Sequence, residues 1–254
     1  MTEIPFRGAM LKLERAKHHI NDLNAKIGAF FDGYSIAVFD NAETCERSVF
    51  LKADKPIPAE FSVIIGDAVH NLRTTLDHMT YEIISPYGPP NPDQVQFPFA
   101  PNEKALKSAL AQRQIHLAGK DIVTKFRELK PYPGGNDLLH GLHKLDIFDK
   151  HALIFSIVGV LGLNALDLQQ LGPDAPIAPN EVAPTLFYPA ENQHLVTWRY
   201  DPTDPDNAPK NDAYLNGSFT IEFGEKQPFA GEMVMATLRR LTIAVERVIA
   251  CFTS

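Results

Sequence analysis

The sequence contains almost no cysteine and lacks any long hydrophobic run. Only two of its 254 residues are cysteines, Cys45 and Cys251, so a disulfide-rich secreted scaffold is not expected and a reducing cytoplasm fits better. The amino terminus has neither the basic start nor the apolar run of a signal peptide. The longest apolar run, 153–163, has about half of the roughly 20 residues that a membrane-spanning helix needs. We therefore expect a cytoplasmic protein with no membrane partner.

Positive charge is also scarce. Asp and Glu number 31 against 24 Lys and Arg, which gives a formal net charge of -7. A general affinity for nucleic-acid phosphates usually needs a basic face, so only a local basic site is compatible with this composition. Hydrophobic residues at 44% and charged residues at 22% are ordinary for a globular protein with a sizeable core.

Several well-known catalytic motifs are missing from the sequence. It has no Gly-x-Ser-x-Gly nucleophile elbow, no Walker phosphate-binding loop and no dinucleotide-binding glycine fingerprint. Cys45 has no partner residue in its neighbourhood that would activate a thiol. We therefore predict no cofactor and none of the enzyme classes that these motifs define.

Apolar periodicity predicts a mainly helical chain. Apolar side chains recur at intervals of three and four residues along 6–31, which predicts a long helix with one apolar face. Prolines at both ends bracket a second long helix over 59–85. Further helices are predicted over 102–113, 119–129, 138–150 and 230–252, with Asn136 or Asp137 as the N-cap of the helix over 138–150.

The remaining segments favour β-structure. Short β-prone runs at 34–39 and 48–51 predict a hairpin, and 152–160, 195–200 and 218–223 predict an antiparallel sheet. The predicted fold class is α+β and mainly helical: a long-helix bundle with an appended antiparallel β-sheet and hairpin. We predict a single domain over 1–254, with a helical core from 6–31, 59–85, 102–150 and 230–252, and β segments at 34–53 and 152–224.

The second long helix carries an unusual polar face, which we call the polar stripe. An α-helix turns by about 100° per residue, so the polar side chains of 67–81 fall opposite an apolar arc. They are mostly His, Asn, Thr and Asp, which favour helix less than the Lys, Glu and Gln of a solvated face, and this indicates hydrogen bonding or chemistry. The candidate catalytic residues are Arg73, His78, His70 and Asp77, and the candidate binding residues are Asp67, Asn71, Tyr81, His143 and His151.

Downstream, the segment 139–151 holds a second group of histidines. His140 and His143 are three residues apart and therefore neighbours on one helix face. Together with His70, Asp77, His78, Asp149 and His151, they could serve as metal ligands in a helical bundle, although no His-Glu-x-x-His or Glu-x-x-His pair accompanies them. We predict no bound metal, and keep a metal-binding bundle as an alternative. A helix end with cations placed to suit its dipole is the simpler interpretation of this segment.

Three uses of the polar stripe remain open besides the metal site. Arg73 and His78 could act on a phosphodiester, with histidine moving a proton and arginine stabilising phosphate charge. They are about 140° apart on the helix, so a partner helix or a second subunit would have to bring them together. Alternatively, a buried polar network could fix two helices together, with Arg73 and Asp77 as an i,i+4 ion pair. The stripe could also be an ordinary solvated face.

Two resemblances bear on these alternatives. The segment 66–78 (GDAVHNLRTTLDH), with 142–151 (LHKLDIFDKH) downstream and Lys12–Lys17 upstream, resembles a family of uncharacterised bacterial proteins over much of 6–155. More distantly, Arg73 and His78 resemble the Arg-x(4–6)-His motif of HEPN domains, which are helical bundles, often dimeric, and many of them metal-independent ribonucleases. That resemblance implies an RNA-binding or RNA-cleaving homodimer in which Arg73 and His78 are the catalytic pair. A non-catalytic helical interaction protein is the competing expectation.

Overall fold

The chain folds into two compact units, each assembled from separate stretches of sequence. The computed structural model describes residues 6–53, 55–88, 90–91, 93–160, 171–175, 193–207, 214–215 and 219–253. The helical unit contains 1–24, 60–155 and 225–254, and the sheet unit contains 25–59 and 156–224. The mainly helical α+β class is confirmed, and the single domain over 1–254 stays a prediction.

All the predicted helices are present. They are α1 (Arg7–Phe31), α2 (Ala59–Ile84), α3 (Glu103–Gln112), α4 (Lys120–Glu128), α5 (Asp137–His151) and α6 (Val234–Thr253). Short 3-10 turns follow α2 at Ser85–Tyr87 and α3 at Ile115–Ala118. Among the described residues, none of the helices combines the length and the apolarity that crossing a bilayer requires.

Asparagine caps begin two of these helices. Asn102 accepts a hydrogen bond from the backbone N–H of Ala105 at 3.0 Å at the start of α3. Asn136 accepts one from Leu139 at 3.1 Å at the start of α5. An N-cap side chain satisfies a backbone donor that has no partner inside the helix. Of the two predicted caps of α5, the structure therefore selects Asn136.

The core of the helical unit comes from the apolar faces of its long helices. Its side chains are almost fully buried, which removes them from water and supplies most of the stabilisation of such a bundle. Prominent among them are Leu13 and Leu23 of α1, Leu72, Leu76 and Met79 of α2, Leu142 and Leu145 of α5, and Leu238, Leu241 and Val245 of α6.

The sheet unit is built on the predicted hairpin. Strands β1 (Tyr34–Asn41) and β2 (Glu46–Ala53) pair antiparallel, with Val38 opposite Val49. Strand β4 (Gln193–Arg199) adds to β2, and β5 (Tyr214–Leu215) adds to β1, so the strand order is β4-β2-β1-β5. Strands β3 (Ser156–Val160) and β6 (Phe219–Phe223) pair with each other in a separate antiparallel ladder.

This arrangement corrects the expectation that the three later strands share one sheet. Strand β4 joins the hairpin instead, because Val196 pairs with Val49 and packs against the buried cluster that includes Ile36 and Val38. Which strands pair is decided by the apolar surface they cover together, which strand propensity does not encode. Parts of the predicted β segment 152–224, namely 161–170, 176–192, 208–213 and 216–218, lie outside the described residues.

A buried arginine holds the sheet unit together. The side chain of Arg47 is fully buried, and its Nε and Nη2 donate to the two oxygens of Asp40 at 2.7 and 2.8 Å. Its Nη1 donates to the carbonyl of Leu171, and its guanidinium lies 4.9 Å from the ring centre of Tyr200. A buried charge has to be compensated by polar partners. Because the partners of Arg47 come both from the hairpin and from Leu171, the arginine fixes the segment 171–175 against the hairpin.

Replacing this arginine is expected to destabilise the protein strongly. Arg47→Met leaves the carboxylate of Asp40, whose side chain is 2% exposed, without its guanidinium, so we expect the free energy of unfolding to fall by about 3–5 kcal/mol. Arg199→Met is the control, because its side chain is 81% exposed and its ion pair with Glu46 spans 3.5 Å. It should change stability by less than about 1 kcal/mol. Chemical denaturation measures the free energy of unfolding of both variants. Equal decreases in the two variants would contradict the role assigned to Arg47.

Candidate functional site

Helices α2 and α5 run antiparallel along a line of close contacts that we call the α2–α5 seam. Three residue pairs meet there: Gly66 with Asp149, His70 with Asp146 and Arg73 with His143. Positions advance by four and then three residues on α2 while they fall by three and three on α5, and steps of three or four keep each residue on the facing side of its helix. Each pair therefore lies about one turn from the next.

His70 and Asp146 form a histidine–carboxylate pair at the middle of the seam. His70 Nδ1 lies 3.0 Å from Asp146 Oδ1, and the other carboxylate oxygen accepts from Lys150 Nζ at 2.6 Å. The imidazole is 53% exposed, whereas the Asp146 side chain is only 4% exposed. A buried carboxylate on Nδ1 holds the ring in one orientation and favours the tautomer with its proton on that nitrogen. The other nitrogen, Nε2, is then the proton acceptor.

A hydroxyl group stands next to that second nitrogen. Thr74 Oγ1 lies 3.4 Å from His70 Nε2, whereas the buried Thr75 and Thr80 donate to carbonyls four residues earlier at 2.8 and 2.7 Å. Back-bonding of that kind is the usual role of threonine inside a helix. The Thr74 contact marks the direction from which a substrate hydroxyl could give its proton to the ring.

Arg73 is buried one turn along the seam. It is 6% exposed, its Nη1 is ion-paired with Asp77, and its guanidinium lies 4.7 Å from the ring centre of Phe99. Its Nε is 3.4 Å from His143 Nδ1, and Asp77 Oδ1 also accepts from the backbone N–H of Phe97 at 2.7 Å. The predicted i,i+4 ion pair is confirmed, and it ties the loop after α2 to the helix.

His143 completes this buried group as a neutral ring. It stacks on Phe99 with ring centres 4.4 Å apart and an interplanar angle of 4°. Burial and, next in size, the positive charge of Arg73 lower the pKa of His143 to about 4. The ring is therefore uncharged near neutral pH, and its Nδ1 accepts the hydrogen bond from Arg73.

His78 lies on a different side of α2. A side chain at Gly8 of α1 would meet His78 Nδ1 at 3.1 Å and Glu82 Oε1 at 2.7 Å, and that glutamate accepts from the N–H of Ala9 at 3.1 Å. His78 therefore faces the start of α1, whereas Arg73 faces α5. Within one chain the structure does not bring Arg73 and His78 together, as their angular separation of about 140° requires.

The other predicted site residues have separate surroundings. Asn71 turns back on its own helix and donates to the carbonyl of Asp67 at 2.8 Å. Tyr81 is 37% exposed, and His151 is exposed at the end of α5. The ring of His140 lies 6.4 Å from that of His143. Of the predicted residues, His70, Arg73 and His143 lie on the seam, and Asp77 joins them through Arg73.

Several residues of the seam were not among the predicted catalytic and binding residues. Asp146, Asp149 and Phe99 acquire their roles only through contacts between distant segments. The interior glycine of α2, Gly66, was the available signal, since glycine destabilises a helix by about 1 kcal/mol relative to alanine and so needs a reason. Its reason is the carboxylate of Asp149, which would lie 2.5 Å from a Cβ there.

No group of three or more His, Cys, Asp or Glu side chains is arranged to hold a metal ion in the part of the chain that the structure describes. The close pair among the candidate metal ligands, His140 and His143, lies on α5 with ring centres 6.4 Å apart.

Comparison with protein-family models, with curated proteins and with solved structures gave no match for this chain.

Replacing Arg73 is expected to destabilise the protein, because the side chain is buried in the seam. Arg73→Met removes the cation from Asp77 and the guanidinium from Phe99, so we expect the free energy of unfolding to fall by about 2–4 kcal/mol. Arg73→Lys should recover only part of that loss, because an ammonium lacks the planar fork of a guanidinium. Arg247→Met, at an exposed position of α6, should change stability by less than about 0.5 kcal/mol. Similar losses in the Arg73 and Arg247 variants would contradict this assignment.

The neutral state of His143 predicts a specific pH dependence. Its pKa is about 4 in the folded protein and about 6.5 when unfolded, so the unfolded chain binds more protons between these values. The stability that neutral His143 contributes is present above about pH 6.5 and is lost as the pH falls toward 4. As the pH falls through that range, the difference in free energy of unfolding between wild type and His143→Gln should therefore become smaller. A difference that does not change with pH would refute the prediction.

Proposed function

We propose that the helical unit carries a metal-independent acid–base site that cleaves RNA, with His70 as the base. The observation that carries this proposal is the pairing of His70 Nδ1 with the buried carboxylate of Asp146 at 3.0 Å beside a half-exposed ring. A histidine whose ring is oriented by a carboxylate, and whose other nitrogen is met only by the hydroxyl of Thr74 among the described contacts, suits proton transfer. The distant resemblance of Arg73 and His78 to the HEPN motif supports RNA as the substrate class.

RNA suits such a site because its own 2′-hydroxyl group can act as the nucleophile. His70 Nε2 takes the proton of the 2′-hydroxyl, O2′ attacks the adjacent phosphorus, and the bond from phosphorus to O5′ breaks as that oxygen takes up a proton. The products are a 2′,3′-cyclic phosphate and a 5′-hydroxyl end. Lys150, which is 54% exposed and bonded to Asp146, places a positive charge beside the ring, where it would favour a phosphate.

The charge of the chain limits which RNA would bind. A net charge of -7 disfavours long-range attraction to phosphates, and any such binding weakens as salt rises. A short single-stranded RNA is therefore the expected substrate, because its 2′-hydroxyls can reach a ring at the surface. Long duplexes should be cleaved poorly.

The resemblance to HEPN domains also offers a second arrangement for the same reaction. In that arrangement Arg73 and His78 act together across a homodimer. His78 is exposed and would be free to meet a second subunit, but Arg73 is 6% exposed and engaged by Asp77, Phe99 and His143. Its engagement favours His70 over the Arg73–His78 pair as the chemical centre.

The same burial of Arg73 favours one further candidate function, a non-catalytic helical interaction protein. In that case the polar stripe fixes α2 to α5 through the ion pair with Asp77 and the stacked ring of His143. Substitutions at His70 and Asp146 would then lower the melting temperature without changing any turnover, which separates this candidate from the enzyme.

The decisive experiment incubates purified protein with short, end-labelled single-stranded RNA at low salt, with chelator present. We expect cleavage that leaves a 2′,3′-cyclic phosphate, a loss of at least about 100-fold in His70→Gln, and a smaller loss in Asp146→Asn, which keeps the ring but removes its orienting charge. His116→Gln, at an exposed position on the 3-10 turn Ile115–Ala118, is the matched control and should cleave like wild type.

The outcomes separate the candidates. Full activity in His70→Gln together with loss in His78→Gln would replace the proposed centre by the Arg73–His78 pair. Absence of cleavage of every RNA tested would overturn the enzymatic proposal and leave the interaction protein.

A further inference from the structure

One side of the hairpin sheet carries aromatic rings where polar side chains are expected. Successive side chains of a strand point to opposite sides, and Val38 and Val49 belong to the buried core. Their neighbours Phe39 and Phe50 therefore lie on the other side of β1 and β2, and Phe39 is 42% exposed. We call this side of β1, β2 and β4 the outer face. An antiparallel sheet with one side in the core normally presents polar residues on the other, so two phenylalanines there need an explanation.

Three rings form a row across the outer face, with one ring on each of three neighbouring strands. The ring centres of Phe39 and Phe50 are 5.5 Å apart, and those of Phe50 and His194 are 5.4 Å apart. Adjacent rings meet edge to face, at interplanar angles of 82° and 73°, which is an arrangement that aromatic pairs favour. Each ring is thereby held by its neighbour, and the row is a preformed aromatic surface.

An irregularity in strand pairing brings the third ring into this row. Val196 of β4 pairs with Val49 of β2. The next residue of β2, Phe50, pairs with His194, because the register shifts there and leaves out Leu195. Leu195 packs against the buried cluster of the sheet unit instead. A bulge of this kind re-aims side chains and is common beside functional sites, and here it puts an imidazole beside Phe50 in place of an aliphatic side chain.

Hydroxyl groups fix the imidazole of His194 in this position. Its Nε2 lies 2.6 Å from Thr197 Oγ1, which in turn lies 2.7 Å from Ser48 Oγ of β2. One chain of hydrogen bonds therefore ties the ring to both strands. The centre of a protein-binding patch is usually apolar throughout, whereas the rings here alternate with hydroxyl groups. Such a surface suits a ligand that has flat rings with polar edges.

Positive side chains flank the row at both ends of β2. Lys52 Nζ lies 6.0 Å from the ring centre of Phe39. Arg199 of β4 stands opposite Glu46 at the other end, and its side chain is 81% exposed. Among the described positions of the outer face, Glu46 is the only acidic residue, and Arg199 engages it at 3.5 Å. The outer face is therefore locally positive, although the net charge of the chain is -7.

We propose that the outer face binds single-stranded nucleic acid, with bases stacked on the row of rings and phosphates beside Lys52 and Arg199. Unpaired bases expose their flat faces, and aromatic side chains combined with nearby cations are the usual means of binding them. A duplex keeps its bases stacked inside, so the outer face discriminates against it. This binding site goes beyond the proposed cleavage by the helical unit and does not depend on it.

The test measures, by fluorescence anisotropy at low salt, the binding of a short labelled single strand of 2′-O-methyl RNA. The methyl group blocks the attacking oxygen, so binding is measured whether or not the protein cleaves RNA. Phe39→Leu keeps an apolar side chain but removes the ring, so the affinity should fall about tenfold. Phe39→Trp should bind at least as tightly as wild type. Tyr87→Leu, at a 58% exposed position outside the sheet, is the matched control and should bind like wild type.

The positive side chains give a second prediction that does not involve the rings. Replacing both (Lys52→Gln with Arg199→Gln) should make the affinity less dependent on salt. The logarithmic slope should fall by about 0.7 for each phosphate contact that is lost. Lys107→Gln, at an exposed position of α3, should leave the slope unchanged.

The proposal is overturned if the single strand does not bind at low salt, or if a duplex of the same sequence binds equally well. Unchanged affinity in Phe39→Leu would also contradict it. Affinity that is lost in His70→Gln and kept in Phe39→Leu would assign the strand to the seam instead. Melting temperatures show whether the variants fold. If Phe39→Leu proves unstable, the double variant decides, since an unchanged salt dependence there refutes the proposal.

Discussion

The burial of the Arg73 guanidinium is the constraint on which the helical unit depends. An arginine stays charged at any ordinary pH, so its removal from water has to be compensated by partners placed around it. Those partners come from three places: Asp77 of the same helix, Phe99 of the following loop and His143 of α5. Their convergence fixes how far α2 and α5 slide along each other. That register in turn places His70 on Asp146.

The seam divides into a closed part and an open part. Around Arg73, which is 6% exposed, the ion pair with Asp77 and the contacts with Phe99 and His143 hold segments together. One turn away the ring of His70 is half exposed, and burial, with the charge of Asp146, raises the pKa of Asp149. Groups that are poorly compensated persist in a protein mainly where they have a use other than stability. The closed part supplies the rigidity that such a site needs.

Sequence patterns predicted the local features and missed the distant ones. Helix bounds followed from apolar periodicity, and the pairing of Arg73 with Asp77 followed from their spacing of four residues, because both depend on one helix alone. The pairing of His70 with Asp146 depends on the register between two helices, which the sequence of neither contains. Phe99 lies in a proline-rich loop without any period. The sequence singled out the polar stripe, but the division of its side chains among different partners required the tertiary structure.

The later strands show the same limit. Each was recognisable as a strand, but partner choice depended on which apolar surfaces meet, and Val196 found Val49 of the early hairpin. The sequence therefore predicted antiparallel pairing of the later strands, but it did not predict which strands pair with each other.

The chain crosses between its two units several times, since the helical unit draws on 1–24, 60–155 and 225–254. Lys17 of α1 bonds to Glu246 of α6, and Asn24 accepts from Arg239. During synthesis on the ribosome α1 therefore remains without these partners until more than two hundred further residues have been made. Contacts of such long range form slowly and leave apolar surface uncovered meanwhile. The nascent chain should accordingly depend on chaperones, and neither unit can be expressed as one uninterrupted fragment.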